Sequence, residues 1–332
     1  MKWIIKHLYP EEIIVLLTFI FIGVVFLVLP YEFRWFDNGL TVFWIHRLFA
    51  PAISFFIIIF FIAVFKDIKY KKNQTITHLL AITLLDATRI YIIFYIALMI
   101  HFNIKIHIGL FRDALYDPAL HVVDLWLMQY FGFLSDIMVN IHEVMDLSPL
   151  YFLIYELMFL LTFIALYIRN KKQFRLLFCA TIITTLLGTL GYYLFPAIGP
   201  FLYDQPHALY MQESIADMWA NYLAFIASGG MDYKFGLLIK GIAAMPSLHT
   251  ANAIVFTFFA WKYARYLLIF YIPFTIFILI EALFTKFHYF LDLVLGAEIA
   301  AIAIITTYIL YHLRGRYFAA NNISNETTSE SL

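Results

Sequence analysis

Long apolar stretches, each about 20 residues long and nearly free of charge, dominate the sequence. A helix of this length crosses the roughly 30 Å hydrocarbon core of a bilayer, whereas a membrane barrel would show alternating segments of about ten residues. The pattern therefore predicts an all-α, polytopic transmembrane helical bundle. Its eight predicted spans are residues 11–29, 44–65, 77–101, 149–168, 174–195, 247–263, 266–284 and 288–311.

Two long connections, 102–148 and 196–246, separate these spans. In the first, polar residues recur at helical spacing and apolar residues line the other side, which predicts an interfacial helix over 120–146. The alternative is a ninth span there, which would invert the topology of everything that follows. In the second connection, residues 211–228 predict a short helix that ends before Gly229 and Gly230. The polar residues of the first helix are His121, Asp124, Ser135, Asp136, Asn140 and Glu143.

The spans divide the chain into four regions. Residues 1–110 hold the first three spans, 111–148 the interfacial helix, and 149–312 the five spans of a predicted catalytic core. The tail, 313–332, is polar from Ala319 onwards and is predicted to be disordered. The first span lacks a small-residue cleavage site before Leu29, so we interpret it as a retained anchor rather than a signal peptide.

Composition and charge agree with a membrane protein. Hydrophobic residues make up 64% of the 332 residues and charged residues 13%, against roughly 45–50% and 25% in soluble domains. Lys+Arg and Asp+Glu number 22 each, which gives no indication of a nucleic-acid partner. The single cysteine, Cys179, excludes an intrachain disulfide.

The distribution of basic residues predicts the orientation. Fourteen of the 22 lysines and arginines fall in the amino-terminal segment, in the connections that share its side and in the carboxyl-terminal tail. Because cytoplasmic loops are enriched in Lys and Arg, both termini are predicted to be cytoplasmic. The two long connections, and any site beside them, would then lie on the extracytoplasmic side of an integral membrane protein.

The first candidate for chemistry is the segment Pro246-Ser247-Leu248-His249, where the sixth span begins. Proline suits the first turn of a helix, serine suits the cap, and the free backbone amides there form a site for an anion. A histidine two residues beyond the cap would face that anion. The same residues also make an ordinary helix start, so the motif alone does not distinguish an anion site from a helix cap.

The second candidate is His288-Tyr289-Phe290-Leu291-Asp292, which opens the eighth span. Residues at i and i+4 share a helical face, so Asp292 can accept a hydrogen bond from one ring nitrogen of His288 and leave the other free and more basic. The alternative is that the two side chains only satisfy each other within the bundle. Ionisable pairs at a membrane boundary are, however, costly and usually functional.

Topology relates the two candidates. Two crossings of the bilayer lie between His249 and His288, so both histidines are expected at the same face and at similar depth. Two histidines, one held by a carboxylate, beside a helix terminus that can hold an anion form a phosphoryl-transfer site with a nucleophile, a general acid and anion-binding donors.

These segments resemble the second and third signatures of the type-2 phosphatidic acid phosphatase superfamily. Residues 191–200, Gly-Tyr-Tyr-Leu-Phe-Pro-Ala-Ile-Gly-Pro, resemble the preceding segment of its inositol phosphorylceramide synthase-like branch. The resemblance extends over about 190–300 and implies that His288 is the nucleophile that forms a phosphohistidine. It also implies that Asp292 orients His288, that His249 protonates the leaving oxygen, and that Ser247 binds phosphate.

The sequence departs from the superfamily at its cations. The first signature, Lys, six residues and Arg-Pro, falls on Tyr192 and Gly199 in one register and on Gly188 and Phe195 in the other, and an arginine of the third falls on Ala282. The loss of these cations weakens the binding of a dianionic phosphomonoester more than that of a singly charged phosphodiester. This favours transfer of a phosphodiester-linked headgroup. Candidate substrate-binding residues near the motifs are Lys240, Lys286 and Tyr193.

The predicted function is therefore a membrane-integral lipid phosphotransferase, with lipid substrates and the bilayer as partners, no cofactor and no metal requirement. The alternative is a lipid phosphatase that releases inorganic phosphate. A transporter is a more distant alternative, since no inverted repeat is visible. A metal site formed by His249, His288 and Asp292 is a third. Asp86 and Arg89 are predicted to form an ion pair deep in the third span, with a site-lining role as the alternative, and Glu281 is given no role.

Overall fold

The computed structural model describes residues 8–34, 57, 61, 64–65, 76–112, 115–145, 147–203, 212–232 and 243–329. These residues are mainly helical, and no strand is found among them, so the prediction of an all-α bundle is confirmed. The helices are α1 (Pro10–Val28), α2 (Ile76–Phe111), α3 (Asp117–Val144), α4 (Ser148–Arg169), α5 (Lys171–Leu194), α6 (Pro200–Tyr203), α7 (Gln212–Ala227), α8 (Leu248–Tyr263), α9 (Leu268–Phe284) and α10 (Phe290–Ser329).

Six segments of the described chain are long and apolar enough to cross a membrane. They lie in α1, α2, α4, α5, α9 with the short turn before it, and α10. The predicted span 247–263 forms α8, whose 16 residues rise about 24 Å, less than a full crossing. The predicted span 44–65 falls largely outside the described residues. A polytopic bundle is thus confirmed, and the number of eight spans stays a prediction.

Helix α5 is the central element of the bundle. It is buried along most of its length and packs against α2, α4, α8 and α10. Its threonines are tolerated in this apolar setting because each hydroxyl donates to the carbonyl oxygen four residues earlier, at 2.7–3.0 Å. The side chains concerned are Thr181, Thr184, Thr185 and Thr189.

Helix α2 is longer than the predicted span 77–101 and continues to Phe111. The extension contains polar residues, but they are satisfied inside the protein. The Asn103 side chain accepts from the backbone N–H of Arg34 at 2.6 Å and donates to Met99 O at 2.9 Å. His107 Nδ1 bonds Asn103 O at 2.7 Å. Hydropathy alone therefore placed the end of this helix about ten residues too early.

Asp86 and Arg89 do not pair with each other as predicted. Asp86 bonds Arg175 at 3.2 Å and lies 3.6 Å from Lys171, whereas Arg89 bonds Glu12. Asp86 faces the first turns of α5, where Lys171 and Arg175 lie. Both residues can therefore reach charged partners at the starts of α1 and α5.

The carboxyl-terminal residues differ from the predicted disordered tail. Helix α10 continues through residues 319–329 before it ends at Ser329. Once a helix is nucleated, each further residue adds a hydrogen bond at little cost, so a polar extension can follow a long apolar helix. The division of the chain into four regions stays a prediction.

Helix α3 lies across one end of the bundle. Its Asp124 Oδ1 accepts from the backbone N–H of Phe290, where α10 begins, and its His142 Nε2 lies 3.1 Å from Oε2 of Glu281, in the last turn of α9. Both contacts fall where α8 and α10 begin and α5 and α9 end, which we call the site end. The arrangement agrees with a surface helix and disfavours a ninth span.

Candidate active site

The entrance of α8 is bonded directly to the first turn of α10. Ser247 precedes α8, and its hydroxyl accepts from the backbone N–H of Thr250 at 3.4 Å, as a helix cap does. The backbone N–H of Ser247 donates to the carbonyl oxygen of Asp292 at 2.9 Å. Because Ser247 is fully buried in this arrangement, its proposed contact with phosphate stays a prediction.

His288 and Asp292 are paired, but by a different local geometry from the one predicted. Helix α10 begins at Phe290, so His288 lies in the turn before the helix rather than on its face. Asp292 Oδ2 accepts from the backbone N–H of Tyr289 at 2.9 Å and lies 3.3 Å from His288 Nδ1. The carboxylate therefore caps the helix and holds the imidazole at once, which leaves Nε2 of His288 for chemistry.

His249 lies in a cluster of aromatic rings contributed by α4. Its ring centroid is 4.6 Å from that of Tyr155, 5.2 Å from Tyr151 and 5.8 Å from Phe152. The Tyr151 ring also lies 6.3 Å from the ring of Phe287, the residue before His288. The structure thus brings His249, His288 and Asp292 together at the site end.

Three glycines allow these elements to approach closely. A Cβ at Gly296 would lie 2.6 Å from the carbonyl oxygen of Ser247, and a Cβ at Gly191 would lie 2.6 Å from Cδ of Pro246. At Gly188 it would lie 2.2 Å from a Leu248 methyl carbon. The glycines therefore set the spacing of α5 and α10 against the entrance of α8.

We predict that Gly296→Ala lowers activity by at least tenfold, because a backbone oxygen cannot yield as a side chain can and α8 must move relative to α10. A displacement near 1 Å at a reacting geometry can cost about 100-fold in rate. The matched control is Gly315→Ala in the same helix, where no heavy atom lies within 4 Å of the added Cβ. Turnover and melting temperature in detergent, measured for both variants, check this. Equal activity of the two variants would contradict the packing argument.

Asp117, at the start of α3, was missed by sequence reasoning. Its buried carboxylate accepts from the backbone N–H groups of Ile198 and Gly199 and from the hydroxyl of Tyr289, at 2.9–3.1 Å. It therefore fixes the end of the 191–200 segment and the residue that follows His288. Its one sequence signal is an aspartate followed by Pro118, which is typical of a helix start.

Asp124 makes a second link between α3 and the site. Burial raises the pKa of this carboxyl from its ordinary value of 3.8 to about 6, although the hydrogen bond from Phe290 opposes the shift. Between about pH 4 and 6 the folded state therefore holds a proton that the unfolded state has lost. The free energy of unfolding contributed by Asp124 falls as pH rises through this window.

We accordingly expect Asp124→Asn to remove this pH dependence while its amide oxygen keeps the bond from Phe290. The melting temperature of the variant minus that of the wild type should increase as pH rises from 4 to 7. Thermal unfolding in detergent at several pH values measures this difference. A difference that is constant, or that shrinks with rising pH, would contradict the assignment.

The other predicted substrate-binding residues have different surroundings. Lys286 lies two residues before His288 with φ 55°, and its carbonyl oxygen accepts from Phe201 at 2.9 Å. Tyr193 is 40% exposed and contacts Phe111 and Arg112, so the structure does not bring it to the histidines. Its buried neighbour Tyr192 faces inward instead, because adjacent helical residues point about 100° apart. Lys240 lies outside the described residues.

The placement of potential ligand side chains bears on the metal alternative. In the part of the chain that the structure describes, no group of three or more histidine, cysteine, aspartate and glutamate side chains is arranged to hold a metal ion. This includes His249, His288 and Asp292, whose pairing instead follows the cap geometry of α10.

Comparison with known proteins gives one match. The model of a family described as the PAP2 superfamily matches residues 119–306, which is more than half of the chain and includes most of α3, both histidines and Asp292. Neither the curated proteins nor the solved structures compared with the chain give a match.

Proposed function

Because the chain belongs to the PAP2 superfamily, we propose that it transfers a phosphorylated headgroup from a donor lipid to the hydroxyl of an acceptor lipid. Membership makes a lipid phosphatase or phosphotransferase the general class, and it confirms the superfamily resemblance predicted from the sequence. The proposal adds a phosphohistidine at His288, independence of metal ions and activity similar to that of inositol phosphorylceramide synthases.

One observation carries the proposal. His288 is held through Nδ1 by Asp292, at 3.3 Å, beside the aromatic cluster that contains His249. A carboxylate on one ring nitrogen fixes the tautomer and directs the other nitrogen outward as a nucleophile. A second imidazole close by supplies the proton that the leaving oxygen requires.

In the first half-reaction, Nε2 of His288 attacks the phosphorus of the donor phosphodiester. An N–P bond forms as the P–O bond to the diacylglycerol oxygen breaks, and protonated His249 gives its proton to that oxygen. The products are diacylglycerol and an enzyme whose His288 carries the phosphorylated headgroup. Asp292 stabilises the positive charge that develops on the imidazole.

In the second half-reaction, the hydroxyl of the acceptor lipid attacks the same phosphorus. His249, now neutral, accepts the hydroxyl proton as the N–P bond breaks, which restores both histidines. Water in place of the acceptor gives hydrolysis by the same steps. The buried position of His288 and the ring of aromatic side chains around His249 favour a lipid acceptor, because both limit the access of water.

The orientation of the site is part of the proposal. The site end lies opposite the end where the basic residues Lys171, Arg175 and Lys262 are found, at the start of α5 and the end of α8. The positive-inside tendency assigns that basic end to the cytoplasm. The site then opens on the extracytoplasmic side, and α3 lies at the membrane surface beside it.

The test is product analysis with the purified protein. Phosphatidylinositol labelled in its phosphate is incubated with ceramide in mixed micelles, with and without a chelator. A labelled lipid that requires ceramide, formed equally with the chelator, is the expected result. Release of labelled inorganic phosphate or inositol phosphate without a new lipid would replace transfer by hydrolysis. Loss of all turnover with the chelator would overturn the metal-independent mechanism.

A further inference from the structure

Lys105 is a cation of helix α2 that borders the proposed site. It is one turn beyond His101 on the same helical face, and its Nζ lies 5.9 Å from the ring centroid of Tyr192. The ring of His101 is 5.6 Å from that of Tyr192, and His101 Nδ1 bonds Thr189 Oγ1 at 2.9 Å. Lys105 therefore lies between α2 and α5, at the site end.

Tyr192, the ring that the ammonium group faces, follows Gly191, whose backbone packs against Pro246 at the entrance of α8. Lys105 thus lies beside the part of α5 that packs against the α8 entrance, two residues before His249. In the part of the chain that the structure describes, no carboxylate forms an ion pair with it. The protein itself does not neutralise this charge by a direct contact there.

An ammonium group that lies between two helices without a carboxylate partner destabilises the fold unless a bound anion compensates its charge. A phosphodiester held between His249 and His288 carries one negative charge, which suffices for that compensation. Tyr192 is also one of the positions where the sequence carries no cation in an alignment with the superfamily's first signature. In the superfamily's first signature a lysine aligns with Tyr192. Here Lys105 of α2 places its positive charge over the Tyr192 ring instead.

We propose that Lys105 binds a non-bridging oxygen of the substrate phosphodiester and stabilises the charge that develops on it during transfer. This assignment rests on the proposed function and deepens it, because it names the cation that selects a singly charged substrate.

The kinetic test compares Lys105→Met with Lys105→Arg. Removing one preorganised charge donor typically lowers turnover by about 100- to 1000-fold, and we expect a loss of this size for the methionine variant. The arginine variant should recover at least tenfold of that loss. The matched control is Lys262→Met at the opposite end of the bundle, where Nζ lies 4.0 Å from the Tyr308 ring centroid, and it should retain activity.

A binding test separates this role from a structural one and does not require turnover. Orthovanadate, a phosphate analogue, should raise the melting temperature of the wild type and of Lys105→Arg but not that of Lys105→Met. Without vanadate, the methionine variant should melt no lower than the wild type, because it removes an uncompensated charge. Lys105→Gln serves as a second neutral variant if the methionine variant fails to fold.

The outcomes are distinct. The assignment is overturned if vanadate stabilises the wild type and Lys105→Met equally, or if it does not stabilise the wild type. It is also overturned if both neutral variants melt well below the wild type. If vanadate binding depends on Lys105 but no lipid product or phosphate is formed, the anion site stands and the proposed reaction fails.

Discussion

Replacing His288 by alanine is expected to abolish turnover, with a residual rate at least about 10⁴-fold below that of the wild type, as for other covalent nucleophiles. The physical reason is that, among the residues that the structure describes, Asp292 holds no other imidazole at the site. The variant should still insert and fold, because the capping bond from Tyr289 to Asp292 does not involve the imidazole. The stability of the protein-bound label identifies the intermediate. A phosphohistidine in the wild type should lose its label in acid and keep it in alkali.

His312→Ala is the matched control, since this histidine is exposed on α10, the helix that follows His288. It should retain full activity and the labelled intermediate. A purified His288→Ala protein that still transfers the headgroup, or that still carries acid-labile label, would contradict the assignment of the nucleophile.

Replacing His249 by glutamine should slow transfer by about 10²- to 10⁴-fold, the range expected for loss of a general acid. The loss should depend on the leaving group. A phosphodiester with a nitrophenolate leaving group needs no proton, so its first half-reaction should be nearly unaffected in the variant. The second half-reaction still lacks its base, so a burst of nitrophenolate should be followed by slow turnover and accumulation of the phosphohistidine.

His288→Ala should show no burst with the same substrate, which distinguishes the nucleophile from the general acid. If His249→Gln were slowed equally for good and poor leaving groups, His249 would not act as the proton donor. Its ring would then only fill the aromatic cluster formed by Tyr151 and Tyr155.

The parts of the site that follow from local rules could be predicted from the sequence. A proline and a serine at a helix entrance predicted the cap at Ser247, and the spacing of His288 and Asp292 predicted their pairing. The detailed geometry differed, because the helix begins at Phe290 and Asp292 acts as a capping residue. The pairing was correct since i and i+4 residues are also neighbours across a helix start.

The parts that depend on tertiary contacts could not be predicted. Lys105 was assigned to a loop because Asn103, Lys105 and His107 are polar, and nothing local shows that neighbouring helices satisfy Asn103 and His107. Asp117 was missed because its partners are backbone amides about 80 residues away. The sequence does not show that Tyr193 lies on the outer side of α5, because the facing side of this helix is set by packing alone.

The central claim is that His288 and His249 act on one phosphorus from opposite sides in a single pocket. The most direct measurement is an experimental structure of the protein with bound orthovanadate. The account predicts vanadium bonded to Nε2 of His288, with the ring of His249 within about 3 Å of the opposite apical oxygen. Vanadate bound away from His288, or histidine rings too far apart to contact the same ion, would contradict it.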